Sequence, residues 1–505
     1  MTSGAAPTRE PVEAPRAVWG DEARTLALVL GGLLLLRLIA LWFNRTNLFF
    51  DEAQYWSWSL TPDFGYYSKP PLIAWIIRAA TSVCGHGEAC IRAASPLLHT
   101  VTAGLIYLCG RHLYDARTGF WSAVAFATLP GVSFSAGLIS TDVPLLTCWA
   151  GAIYAFARLL DAPRSSWGPA VGLGVAIGLG LNAKYAMAFF VACAVLFLVT
   201  TPMRRPLLRD RRLYAALGIA GLFIAPNIAW NARNAFATFG HTADNANWGR
   251  SLFHPAKMAE FFLAQFGVFG PVLFAVLIWC AWRAWKQQRP EADRLLLWLS
   301  LPVLAIITVQ AFLSRAHANW AAVTYVGATM LVVAQLLRNA NGWRWLKGSL
   351  VLHGGVAAIL AIGLATAGLW RLPLKNDPVA RVLGWRELGQ AVTKELEQAR
   401  LSQRPYRAVV TDERLLTATL LYYMRGEETP LLAWRAPGAK PRDHYELTRA
   451  YQPGSGDPVL LISLDPGASG IPGYFVSAAR LTPLVVPEGK GAARTLHLFA
   501  VSGPK

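Results

Sequence analysis

Long apolar stretches separated by short polar gaps occupy the chain as far as Trp370. The runs Leu26 to Phe43, Leu97 to Cys109, Val143 to Leu160, Leu213 to Trp230, Phe261 to Trp282, Leu295 to Leu313, Ala321 to Leu337 and Leu350 to Trp370 are each largely apolar. Several reach the roughly 20 residues that a bilayer-spanning helix needs, and others do so with their flanks. The pattern predicts about eleven spans, at 25–43, 93–113, 118–139, 142–160, 168–182, 185–201, 212–230, 258–282, 294–314, 318–338 and 347–370. The expected fold class is mainly α, a polytopic membrane protein with 11–13 transmembrane helices.

Between the first two spans the pattern changes. Residues 44–92 are aromatic and patterned, with a short helix expected from Asp51 to Leu60 and a second one started by Pro70-Pro71 and running through Leu72, Trp75 and Ile76. Neither is long enough to span, and both suit the aromatic belt at a bilayer surface. After Trp370 the composition becomes that of a soluble domain. Helices are expected at Gly384 to Arg400 and Asp412 to Met424, and strands at Tyr406 to Val410, Val459 to Leu464 and Leu496 to Val501. The organisation expected is a disordered cytoplasmic tail at 1–20, a membrane domain at 21–370 and a small periplasmic α/β domain at 371–505. Asp412-Glu413, at a strand-to-helix turn, reads as ordinary helix capping.

Composition settles the class: 54% hydrophobic against 15% charged residues is outside the soluble range. A formal charge of +18 raises nucleic acid as a partner. The distribution argues against it, because Arg204, Arg205, Arg209, Arg211 and Arg212, then Arg283, Lys286, Arg289 and Arg294, then Arg338, Arg344 and Lys347 sit in short gaps between spans. These gaps are assigned to the cytoplasm, where they meet anionic lipid. An odd number of spans then puts the amino terminus in the cytoplasm and the carboxyl terminus outside, with the first span retained and no cleavable signal peptide evident. Cys109, Cys148, Cys193 and Cys280 lie in apolar helices, whereas Cys84 and Cys90 share the first outer loop, where an oxidising compartment permits a disulfide.

The same threading collects the unusual polar residues on the outer face. Asp51-Glu52 stands at the edge of the first span, a costly place for two carboxylates without water or a partner. Lys69, fixed by two following prolines, is a natural complement. Asp142 opens the fourth span. Lys184 either snorkels to the interface or faces an anionic ligand. Arg315, His317 and Asn319 occupy a tight turn where an arginine opposes the topological charge bias, which favours a phosphate or acidic sugar as its partner. His241, Asn245 and Asn247 bind sugar hydroxyls or satisfy their own loop, and Tyr55, Tyr66 and Tyr67 are candidate substrate-contacting aromatics. No phosphate-cradling glycine loop, paired Cys or His metal motif or nucleophile elbow occurs, and no internal repeat is visible.

Nucleotide sugars are not available outside the inner membrane, so an energised donor there arrives on a lipid. A polyprenyl-phosphate sugar needs a cation for its phosphate and a carboxylate to take the proton of the attacking hydroxyl. The motifs Phe50-Asp51-Glu52-Ala53-Gln54-Tyr55, Tyr67-Ser68-Lys69-Pro70-Pro71-Leu72 and Thr141-Asp142-Val143-Pro144 resemble those of the lipid-phosphate-sugar-dependent glycosyltransferases of GT-C fold, which include protein O-mannosyltransferases and the aminoarabinose transferase of lipid A. The wording Phe64 to Trp75, and Trp230-Asn231 with Asn234, Phe236, Thr238 and His241, is most similar to the bacterial lipopolysaccharide galacturonosyltransferases. The resemblance implies an inverting transfer from a polyprenyl-phosphate sugar to lipid A, core sugar or another envelope glycan in the bacterial inner membrane. No cofactor is expected to be required, with a divalent metal the open alternative that the sequence does not indicate. The resemblance implies Asp51 as general base, Glu52 as its orienter or an acceptor contact, Asp142 as second acid and Lys69 as the donor-phosphate ligand; Arg315 and Lys184, from their own positions, are further candidates for that phosphate. Ser68 stands where the aminoarabinose branch commonly has an acid, which argues against a metal site and against that specificity. Arg315 or Arg250 suits an acidic donor sugar. A protein O-mannosyltransferase-like enzyme, a lipid-linked sugar flippase and an assembly protein with a silent site are the competing readings. A flippase needs ionisable residues through the middle of several spans, and here they gather at one face.

Overall fold

In a computed structural model the structure describes residues 21–249, 251–286, 289–370, 379–488 and 493–505. The tail expected at 1–20, Arg250 and the domain boundary expected at 371 lie outside the described residues. The membrane part is built from α1 (Asp21–Phe43), α2 (Phe50–Leu60), α3 (Leu72–Cys84), α4 (Glu88–Leu113), α5 (Ala116–Thr128), α6 (Pro130–Ser135), α7 (Asp142–Asp161), α8 (Gly168–Ala183), α9 (Ala188–Thr200), α10 (Arg211–Arg233), α11 (Ala237–Asp244), α12 (Pro255–Phe269), α13 (Pro271–Lys286), α14 (Glu291–Trp298), α15 (Leu301–Leu313), α16 (Thr324–Arg338) and α17 (Gly342–Ala365).

All eleven apolar segments are helical, but they are not eleven long helices. Six single spans are long and apolar enough to cross a membrane among the described residues: α1, α4, α7, α10, the α14–α15 run and α17. A seventh is the pair α12 and α13, bent by 117° at Gly270. The segment expected as one straight span at 258–282 is therefore broken: Gly270 has φ 86°, a left-handed conformation, and Pro271 starts the next helix. Pro130 likewise divides the 118–139 segment into α5 and α6. The helices α8, α9 with its leading turn, and α16 are apolar but shorter than a span. At 16 residues, α8 reaches only about 24 Å.

Which helices meet lipid follows from their exposed faces. Leu28, Leu35, Leu36 and Trp42 of α1 are exposed, whereas α16 is buried from Thr324 to Leu336 and forms the middle of the bundle with α7. Close packing there depends on small residues. A Cβ on Gly110 of α4 would lie 2.8 Å from the Gly119 backbone of α5, so only glycine lets these helices touch. At the end of α7 opposite Asp142, Arg204 pairs with both Asp161 and Glu291, while Arg338 and Tyr114 share the buried Asp293. The expected cytoplasmic basic residues thus tie loops and helix ends together there.

The carboxyl-terminal part comprises α18 (Trp385–Leu401), β1 (Ala408–Thr411), α19 (Arg414–Tyr423), β2 (Leu431–Ala433), α20 (His444–Thr448), β3 (Val459–Ser463), β4 (Phe475–Arg480), β5 (Leu484–Pro487) and β6 (Ala493–Pro504). One sheet runs β2-β1-β3-β6-β4, parallel through β2, β1 and β3 and antiparallel onward, with β5 also on β6. β1 and β3 are buried throughout, which is why they read as unbroken apolar runs. β2 is too short, and β4 too exposed, to carry such a signal.

This domain sits directly on the 44–92 segment. Ala418, Tyr422, Ala433 and Tyr445 share one apolar cluster with Ala53, Trp56, Trp58 and Ile73. Polar pins surround it: Leu48 N–H to the Tyr423 hydroxyl at 2.8 Å, Trp385 N–H to Asn47 Oδ1 at 2.9 Å, the Tyr422 hydroxyl to the His86 carbonyl at 2.8 Å, and Arg386 with Glu88 at 2.7 Å.

Candidate active site

The two carboxylates at the start of α2 face different surroundings. Successive helix residues are rotated by about 100°, so Asp51 and Glu52 leave α2 in different directions. Glu52 is buried. Its Oε2 accepts the Phe49 N–H at 2.9 Å, capping the helix, and Arg92 of α4 grips it with Nε to Oε1 at 2.9 Å and Nη2 to Oε2 at 2.7 Å. The Ile139 N–H donates to Oε1 at 3.0 Å, and Arg92 donates onward to the carbonyls of Thr46 and Asn47. A carboxylate so engaged has little capacity left for an acceptor. Glu52 fastens α2 to α4 and to the segment before α7, and its hydrogen bonds go to Phe49, Arg92 and Ile139 where the sequence reading expects it to orient Asp51 or meet the acceptor.

Asp51 is partly exposed and meets an arginine from the other domain. Arg414, the first residue of α19, places Nη1 3.1 Å from Asp51 Oδ1 and 3.0 Å from Gln54 Oε1, with its guanidinium 4.8 Å from the centre of the Phe50 ring. Gln54 in turn donates to Ser68 at 3.3 Å. Ser68 therefore helps hold α2 against the lysine turn. Tyr66 N–H to the Lys69 carbonyl at 3.1 Å closes that turn, and Pro70-Pro71 lead into α3.

The Lys69 ammonium has no hydrogen-bond or ion-pair partner among the described residues. Burial, followed by the like charge of Lys184, lowers its pKa to about 8, against the opposing pull of Asp51 and Asp142. Lys184 donates to Asp142 Oδ1 at 2.7 Å, and Asn319 donates to Asp142 Oδ2 at 2.6 Å. Asp142, Lys184 and Asn319 thus converge from the start of α7, the end of α8 and the turn before α16. Of the two readings of Lys184, snorkelling to the interface and facing an anionic ligand, neither describes its observed partner, the Asp142 carboxylate.

His241 of α11 lies near the same cations. Burial first, then Lys69 and Arg414, lower its pKa to about 4, so it is neutral at pH 7. Its ring lies 6.0 Å from that of Tyr67, whose hydroxyl donates to the Pro441 carbonyl. His317 is lowered by burial, then by Arg315 and Lys184. The Arg315 side chain is exposed and unpartnered among the described residues. Tyr55 is buried, and its acidity is suppressed by burial and then by Asp51.

Other candidates hold the scaffold. Tyr66 stacks on Trp58 at 4.5 Å and donates its hydroxyl to the Trp58 carbonyl at 3.0 Å, leaving no face for sugar. Asn247 accepts from Ser314 through its carbonyl at 2.7 Å, tying the 231–257 loop to the 314–318 turn. Cys84 and Cys90 are disulfide-bonded and join α3 to α4. Among the described residues no three His, Cys, Asp or Glu side chains converge as a metal ion requires.

Three participants escaped the sequence reading. Arg92 looks like a lone charge in an apolar helix, and Gln54 like a polar spacer. Arg414 was masked by its neighbours. The Asp412-Glu413 pair expected to cap α19 does not do so: the Glu413 side chain makes no cap bond, and Asp412 accepts from Ser463 at 2.6 Å instead. Next to them stands the residue that crosses to Asp51.

A multi-span helical bundle with acids and cations gathered at one end beneath a small α/β domain is the build of a membrane glycosyltransferase. Residues 68–230 match the family model described as dolichyl-phosphate-mannose-protein mannosyltransferase. The chain is 35% identical over 488 residues to the lipid A galacturonosyltransferase RgtD of Rhizobium johnstonii, an alignment that covers 95% of this chain and 98% of that protein. It is 26% identical over 316 residues to undecaprenyl phosphate-alpha-4-amino-4-deoxy-L-arabinose arabinosyl transferase 1 of Pseudomonas fluorescens, covering 59% of this chain and 54% of that one. Among solved structures, ArnT from Cupriavidus metallidurans in the apo state superposes with a TM-score of 0.59 at 18% identity, over 96% of this chain and 100% of that one. The chain belongs to the GT-C glycosyltransferases of the protein mannosyltransferase and ArnT type, in one family with the Rhizobium galacturonosyltransferase.

Proposed function

We propose that the protein transfers a uronic acid, galacturonate in the first instance, from a polyprenyl-phosphate donor to lipid A or another lipopolysaccharide acceptor at the periplasmic face of the inner membrane. The observation that carries this is the grouping of Asp51, an unpaired Lys69 and the Asp142–Lys184 pair at one end of the bundle. The 35% identity to a lipid A galacturonosyltransferase supports the choice of sugar and acceptor.

In this reading the acceptor hydroxyl attacks the anomeric carbon and gives its proton to Asp51. The bond from that carbon to the phosphate oxygen breaks, and polyprenyl phosphate departs with the electron pair and its new charge. Lys69 and Arg315 meet that charge, and the configuration at the anomeric carbon inverts. The Asp142–Lys184–Asn319 set holds the donor headgroup, and neutral His241 offers hydrogen bonds to sugar hydroxyls. The test is transfer by purified protein from polyprenyl-phosphate galacturonate to lipid A. Asp51→Asn and Lys69→Ala are expected to lower turnover by roughly 100-fold or more, the scale of a lost general base or a lost charge contact in a transition state. Wild-type rates in both would overturn the assignment.

A further inference from the structure

Arg414 spends one nitrogen on the membrane domain and leaves an edge unused. Nη1 makes both contacts, to Asp51 and to Gln54, while Nε and Nη2 have no partner among the described residues and are not buried. The Phe50 ring packs against the guanidinium, its centre 4.8 Å away. The Nε–Nη2 edge of an arginine is a planar fork that matches an oxyanion with two parallel hydrogen bonds.

Cationic charge stands beside that edge. Lys69, without an ion-pair partner among the described residues, lies within electrostatic reach of Arg414. Arg414 itself feels Asp443 as well as Asp51, while Lys184 is paired with Asp142 and Glu52 with Arg92.

From this geometry we infer that Arg414, delivered by the carboxyl-terminal domain, is a specificity-determining residue whose free edge binds a second oxyanion of the substrates beside Asp51. The inference rests on the transfer reaction proposed above and adds the group that selects the substrate. Two sources carry this chemistry, the carboxylate of a uronic acid donor and a phosphate of the acceptor lipid.

The experiment uses full-length protein in proteoliposomes, wild type against Arg414→Gln and Arg414→Lys. Donors are polyprenyl-phosphate galacturonate and its neutral galactose counterpart, and acceptors are lipid A with and without phosphate. With the uronate as source, Arg414→Gln is expected to cut the kcat/KM preference for galacturonate over galactose by roughly 10- to 100-fold, the worth of a charge-assisted pair. Arg414→Lys is expected to recover part of it, because a point charge lacks the fork. Collapse of the preference between acceptors, with donor preference intact, supports the same oxyanion site with acceptor phosphate as its source. An equal loss for every donor and acceptor pair would overturn the inference and leave Arg414 as a brace for Asp51. Donor affinity, measured on the same proteins by ligand competition without turnover, keeps the two proposals separable. Equal affinity of wild type and Arg414→Gln for both donors and both acceptors also overturns the inference, whatever the transfer rate.

Discussion

Asp51 and Glu52 share a helix turn and carry opposite mutational signatures. Glu52→Gln strips a charge from an ion pair whose members are 2% and 3% exposed, leaving Arg92 uncompensated in the interior. A loss of about 3–5 kcal/mol is expected, read as a fall in thermal unfolding midpoint in detergent. Asp51→Asn at a partly exposed position is expected to change stability by less than about 1 kcal/mol while removing transfer. Finding the two variants equally unstable would erase the distinction drawn between them. The pair was legible as a place of consequence, because carboxylates at a membrane edge demand partners. The resemblance already set Asp51 before Glu52 as the base, but the structural tie of Glu52 was not legible, because it depends on Arg92 lying 40 residues away on another helix.

At the scale of elements, the lysine turn between α2 and α3 sets a pH limit. In the proposed reaction the cationic form of Lys69 holds phosphate, and its pKa of about 8 places the loss of that cation at mildly alkaline pH. The kcat/KM profile is therefore expected to fall above about pH 8. The fall in kcat should lie at higher pH, since bound phosphate favours the protonated amine. Lys69→Arg should flatten the alkaline limb, and an unchanged limb in that variant would remove Lys69 as its origin. The Cys84–Cys90 bridge pins the loop that receives Trp56 and Tyr422 at His86. Replacing both cysteines by serine is expected to cost about 2 kcal/mol on unfolding, the size expected for a short closed loop.

Element types were readable along most of the chain, since apolar length and the aromatic motif at 44–92 are local signals. The break at Gly270-Pro271 was not, although a glycine-proline pair is a turn signal. Continuous apolarity on both sides outweighed it in the sequence and hides a bend that only packing reveals. Likewise β1 and β3 declared themselves by full burial, while β2 and β4 depend on neighbours in the sheet.

For the whole molecule, the ends of α7 define two faces, the candidate site at Asp142 and the ion-paired loops at Asp161. The proposed orientation predicts that cysteine introduced as Arg315→Cys is labelled by a membrane-impermeant thiol reagent added outside spheroplasts, and that Arg205→Cys is labelled only after permeabilisation. The reverse pattern would invert the assignment. The site residues on motifs before Lys184 were readable in order, because each motif sits at the start or end of a span. The contribution of the last domain was hidden, because docking, not spacing, brings Arg414 to Asp51 across 363 positions.

That separation has a consequence for biogenesis. During synthesis α2, with its carboxylate, emerges early, and the membrane helices follow long before α19 exists. Asp51 has no cationic partner from the second domain until the carboxyl-terminal part has been made, folded and seated on the 44–92 segment. Completion of the polypeptide is thus itself a maturation step, and half-made chains in the membrane lack the Arg414–Asp51 contact of the candidate site.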